Sequence, residues 1–91
     1  MRIEVTVPGM LAHATGGSRH VYVDATRLSE LIRNLQTGYP LLTPLVWDDA
    51  LQLRKHIMIF LNDQSLAWLT DSDPVLKAGD TLSIVQAVSG G

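Results

Sequence analysis

The chain has 91 residues, 46% of them hydrophobic and 18% charged, with a formal net charge of −2. That length suits one domain with its own core, and the charge balance has no basic excess of the kind that nucleic-acid binders carry. No cysteine is present, which excludes a disulfide framework, a zinc–thiolate site and a cysteine nucleophile.

No charged start followed by an apolar stretch occurs in residues 1–20, so no secretory signal is expected. The longest apolar run, Ile57 to Leu61, is far shorter than a membrane span. The expectation is a soluble cytoplasmic domain.

In chain order, "IEVTV" (residues 3–7) alternates apolar and polar, the period of a half-buried strand with Ile3, Val5 and Val7 on one face. Gly16 and Gly17 then offer the positive φ of a reversal, and "HVYVDA" reads as a second strand with Val21 and Val23 facing in. The two form a hairpin. Leu28, Leu31, Ile32 and Leu35 follow at i, i+3, i+4 and i+7, one apolar stripe on a helix of about three turns. Thr26 is its expected N-cap, Gly38 sits where a C-cap glycine belongs, and Pro40 forbids continuation.

Residues 39–56 are irregular, broken by two prolines, with Leu41, Leu42, Leu45, Val46 and Trp47 expected over one end of the core. "IMIFLND" reads as a strand running into a turn. With Ile57, Ile59 and Leu61 inward, Met58 and Phe60 point outward. Ser65 to Leu69 is a candidate edge strand, Trp47 and Trp68 are expected in the core, and Asp71 and Asp73 are expected to cap the turn before Pro74. The last strand, "TLSIVQAV", has Leu82 and Ile84 inward and Val85 outward.

One helix between two hairpin-like halves implies an α+β domain with the helix across one face of a single sheet. The β-grasp arrangement of four to five strands is the simplest solution, with the first and last strands as central parallel neighbours. It divides the chain into a domain over 1–86 and an extended tail, 87–91, closing on Gly90-Gly91.

Other constellations are weak. His13, His20 and His56 lack metal-ligand spacing, and no metal site is expected. Asp48-Asp49 reads as a helix start more easily than as an acid/base pair, and "TGGS" lacks the helix that a phosphate loop needs. No catalytic set emerges.

The strand "IEVTVP", the helix "RLSELIRNL", the strand-turn "IMIFLND", the run "LKAGDTLSIV" and the closing "AVSGG" together resemble the ubiquitin-like sulfur carriers of the MoaD/ThiS family. Within that family the "TGG" after the first strand and the long segment before the third are most similar to the cysteine-biosynthesis (CysO-like) branch. One departure is Gln86, where family tails commonly carry proline. Proline fixes the exit angle of a tail; glutamine leaves it freer.

The resemblance implies that Gly91 is adenylated with ATP by a ubiquitin-activating-type (ThiF/MoeB-like) enzyme, then converted to a thiocarboxylate. Sulfur would ride on the terminus of a chain without cysteine. Ala87, Val88, Ser89 and Gly90 would enter the partner's active site, about 17 Å of extended chain counted with Gly91. Glycines keep side chains away from the reacting carbon. No bound cofactor is implied, and the chain is not itself an enzyme. A sulfur-accepting biosynthetic enzyme would follow, and in the cysteine branch a metalloprotease. Met58, Phe60 and Val85 would form the partner-binding patch near the base of the tail, unless residues 39–56 cover them. The alternatives are the small subunit of molybdopterin synthase, a ubiquitin-like modifier conjugated through Gly91, and a plain binding module in which Gly-Gly is incidental.

Overall fold

The computed structural model describes residues 1–87. Its strands are β1 (Arg2–Thr6), β2 (His20–Asp24), β3 (Ile57–Leu61), β4 (Gln64–Ser65) and β5 (Thr81–Gln86), and its helices are α1 (Leu28–Gly38) and the single turn α2 (Thr43–Val46). They form one five-stranded sheet in the order β2-β1-β5-β3-β4.

The period-two pattern fixes the faces. In β1, Ile3 and Val5 are buried, and in β2 Val21 and Val23 lie beside them. The register pairs Ile3 with Val23 and Val5 with Val21. The connection between these strands is longer than a tight reversal, because Gly9–Thr15 winds into a 3-10 helix that buries Leu11 and Ala14. Gly16 and Gly17 then turn the chain at φ of 73° and 89°, where a side chain would be strained. The Thr15 hydroxyl ties this loop by donating to the Ser18 carbonyl at 2.6 Å.

β1 and β5 run parallel at the middle of the sheet, pairing Val5 with Leu82 and Thr6 with Ser83. β5 also pairs antiparallel with β3 from Ile57–Gln86 to Leu61–Leu82. α1 lies across one face, burying Leu28, Leu31 and Leu35 against the strands. This mixed sheet with a central parallel pair and one crossing helix is the β-grasp, as the element order implied.

Five local expectations need correction. Gly38 is the last residue of α1 and has no positive φ, and Tyr39 takes the C-cap position, its N–H donating to the Leu35 carbonyl. Thr26 does not cap α1: its N–H and hydroxyl both donate to Glu30 Oε1, and Arg27, extended and bridged to Val75, takes the N-cap position without a side-chain cap. The Asp73 Oδ1 accepts the Ser29 N–H at 2.8 Å instead, so the cap comes from a distant loop. Arg27 Nη1 donates to the Asp73 carbonyl at 3.2 Å, binding the same loop to the helix start. The N–H of Ser29 holds the Asp73 carboxyl below its ordinary range, helped by the charges of Arg27 and Arg33.

Pairing of β4 stops at Ser65, and Leu66–Trp68 form a 3-10 turn rather than a strand. Three residues per turn set Leu66 and Leu69 against the core and throw Trp68 outward, 77% exposed. Trp47, in contrast, is buried. Finally, Leu42, Val46 and Trp47 seal one end of the core as expected, with Leu45 packed beside them, but Leu41 at the mouth of the loop is exposed.

Candidate functional site

The chain leaves the sheet at the end of β5, beside the start of β3. Ala87 is exposed, and its N–H donates to the His56 carbonyl at 2.8 Å, the last backbone tie described before residue 88. The expectations for Val88, Ser89, Gly90 and Gly91 fall outside the described residues.

Pairing of antiparallel strands puts directly opposed residues on the same face. Met58 and Val85 are such a pair, and both point away from α1, 42% and 41% exposed. Phe60 is opposite Ser83 on the same face and is half-buried. Met58 and Val85 therefore sit together at the end of the sheet from which the chain leaves, with Phe60 two residues farther along β3 on the same face. Residues 39–56 do not cover them: Leu42, Val46 and Trp47 of that segment pack into the core on the helix side. An apolar face left open in this way is the usual mark of an interaction surface.

The other side of the strand end differs. Gln86 is opposed by Ile57, which is buried, so the Gln86 side chain is turned towards the helix side of the sheet. Its Oε1 is buried, and no donor among the described residues reaches it. An unpaired buried acceptor costs about 1–3 kcal/mol. The alternation Leu82, Ile84, Gln86 in the sequence already assigns this side chain to the inner face. The departure from proline was legible; the inward direction is the part that sequence reading passed over.

Farther along the open face the surface becomes polar. The Tyr22 hydroxyl donates to Glu4 Oε2 at 3.3 Å, His20 Nδ1 lies 3.5 Å from the same oxygen, and the Arg2 guanidinium stacks 4.2 Å over the Tyr22 ring. These are exposed contacts of small energetic weight. His13 and His56 are exposed and far from a common site, and no group of three or more His, Asp or Glu residues suited to a metal occurs among the described residues. No described helix is long and apolar enough to cross a membrane.

Comparison with known proteins agrees with this frame. The sulfur carrier protein CysO of Mycobacterium tuberculosis is 26% identical over 93 residues, spanning 100% of both chains. The structure is similar to that of the Amycolatopsis orientalis BexX/CysO complex, with a TM-score of 0.80 and 26% identity over 98% of this chain and 99% of that one. It is also similar to SAMP1 from Haloferax volcanii, with a TM-score of 0.78 and 28% identity over the whole of both chains. The ThiS family model matches residues 5–91, which takes in the β-grasp from β1 onward together with Gly90-Gly91. On that match the chain belongs to the ThiS family.

Proposed function

We propose that this protein is a sulfur carrier in which the Gly91 carboxylate is the loading point. A carboxylate is ionised at neutral pH and is a poor electrophile. Its attack on the α-phosphorus of ATP gives an acyl-adenylate and releases pyrophosphate. A sulfide-level donor then displaces AMP at the carbonyl carbon and leaves a terminal thiocarboxylate. A ThiF/MoeB-like adenylating enzyme supplies the ATP site. A biosynthetic enzyme making cysteine or a thiolated metabolite takes the sulfur, and in the first case a metalloprotease frees the product. The protein is a substrate of these enzymes rather than a catalyst, and it works in the cytoplasm, where ATP is available.

The observation that carries this reading is the family match running through residue 91. The open Met58–Val85 pair supports it, with Phe60 farther along the same face, because they offer a partner an apolar foothold at the end of β5. The test is the intact mass of the protein after incubation with ATP, the adenylating enzyme and sulfide. A gain equal to one oxygen replaced by sulfur, with alkylation by a thiol reagent in a chain that has no cysteine, locates sulfur on the carboxyl end. No gain, together with unimpaired function after deletion of Gly90 and Gly91, would reject the carrier reading.

A second reading has its own support. Likeness to SAMP1, the small archaeal modifier protein 1 of Haloferax volcanii, favours a ubiquitin-like modifier joined to lysines through Gly91. Adducts heavier than the free protein that survive reductant would establish that use of the same activated end. A molybdopterin-synthase small subunit remains the alternative that a stable complex with a pterin-binding large subunit would reveal.

A further inference from the structure

The end of β5 presents two unlike faces to whatever encloses the tail. On one side is the apolar pair Met58 and Val85; on the other is the Gln86 amide, with its oxygen buried and no donor among the described residues. We propose that Gln86 is a positioning residue whose side-chain oxygen receives a hydrogen bond from the enzyme that draws in the tail, so that one acceptor left unpaired in the free domain is paired only in the complex. The inference rests on the carrier reading and names a recognition element within it.

Three observations converge on this position. Gln86 is the last residue of β5, and its strand partner Ile57 is the first of β3, so among the described residues the β3–β5 ladder ends at this pair. Ala87, the next residue, is still held by the His56 carbonyl, which fixes the backbone from which the Gln86 side chain projects. The oxygen is covered, but the residue as a whole is only half-buried, so a change of rotamer carries the amide to the surface without unfolding the strand. A group that gains its hydrogen bond only on association adds to affinity and to orientation at once. The donor is a backbone N–H, an amide or a guanidinium at the mouth of the partner's channel on the helix side of the tail.

The experiment uses the full chain with Gln86 wild type, Gln86→Met and Gln86→Glu. Each is melted alone and then sulfurated with ATP, sulfide and a ThiF/MoeB-like adenylating enzyme of the same organism, with thiocarboxylate read by intact mass. Methionine keeps the length and removes the acceptor; glutamate keeps an acceptor. The expected result is a Gln86→Met protein that melts at or above the wild-type temperature yet shows a KM for the carrier raised about tenfold, with kcat unchanged. Gln86→Glu is expected to keep KM within about threefold of wild type. Equal KM for all three proteins would overturn the proposal and leave the carrier reading intact. A lower melting temperature for Gln86→Met with unaltered KM would overturn it too, by assigning the amide a partner within the free chain. Failure of the wild type itself to gain sulfur would reject the carrier reading, and the positioning role with it.

Discussion

Met58 and Val85 stand directly opposite one another on β3 and β5, both facing away from α1, two residues before the Ala87 N–H makes its bond to His56. Their pairing turns two isolated outward residues into a continuous apolar step at the foot of the tail. Replacing Met58 by Glu is expected to change stability by no more than about 0.5 kcal/mol, because the side chain is exposed. The same change is expected to raise the KM of the adenylating enzyme for this protein about tenfold or more. Thermal melts and sulfuration kinetics check the two halves separately. A KM equal to wild type would remove Met58 from the partner surface.

The helix side makes the opposite prediction. Leu35 is completely buried on the sheet-facing side of α1. Leu35→Ala deletes core atoms that the sheet has little freedom to replace, and a loss of about 3 kcal/mol is expected in urea unfolding. Trp68→Ala, despite the larger side chain removed, is expected to cost no more than about 0.5 kcal/mol, because Trp68 projects from its 3-10 turn into solvent.

Acid sensitivity follows from Asp73. Its carboxylate accepts the Ser29 N–H, and that bond lowers its pKa from the ordinary 3.8. The unfolded chain therefore takes up this proton at higher pH than the folded one. The stabilisation is complete above 3.8 and is lost as pH falls through the lower folded value. Asp73→Ala is expected to lower the melting temperature at pH 7, with the gap to wild type narrowing as pH falls below 3.8. A gap that stays unchanged on acidification would mean that the carboxylate charge has no part in the cap.

Leu51 supplies a test of backbone strain. It adopts φ 60° in the loop that the Asp48 carboxylate organises by accepting the Ala50 and Gln52 N–H groups, at 2.9 and 3.0 Å. The left-handed conformation costs a side-chain-bearing residue about 1–2 kcal/mol, and glycine gives back about 0.5–1 kcal/mol through chain entropy. With its side chain exposed, Leu51→Gly is expected to stabilise the protein by about 0.5–1 kcal/mol in chemical denaturation. A loss of stability would show that the leucine packs against its surroundings more than its exposure implies.

The parts of the fold legible in the sequence are those written in periodicity. Ile3, Val5, Leu82 and Ile84 announce strands with one buried face, and Leu28, Leu31 and Leu35 announce the stripe of α1. The same alternation gave Met58 and Val85 their outward direction. What sequence reading missed depends on contacts between distant segments. Thr26 looks like a cap by local rules, but its hydroxyl donates to Glu30 and the capping oxygen belongs to Asp73. Trp68 looks like core by its chemistry, but a three-residue turn gives the inner positions to Leu66 and Leu69. The inward direction of Gln86 is legible in the Leu82, Ile84, Gln86 alternation, whereas the lack of a donor to its oxygen among the described residues is visible only in the folded chain.

The parallel contact of β1 with β5 has a consequence for synthesis. A nascent chain stopped before Thr81 possesses both hairpin halves and the helix but lacks the strand that separates β1 from β3 in the finished sheet. Its two halves have no direct strand pairing with each other, and the closure that unites them spans most of the chain, the kind of non-local contact that forms late and slowly. Completion of the domain and arrival of the segment leading to residue 91 are thus one event. A ribosome that stalls early yields a product open to proteolysis, because β3 then lacks the neighbour that joins it to β1.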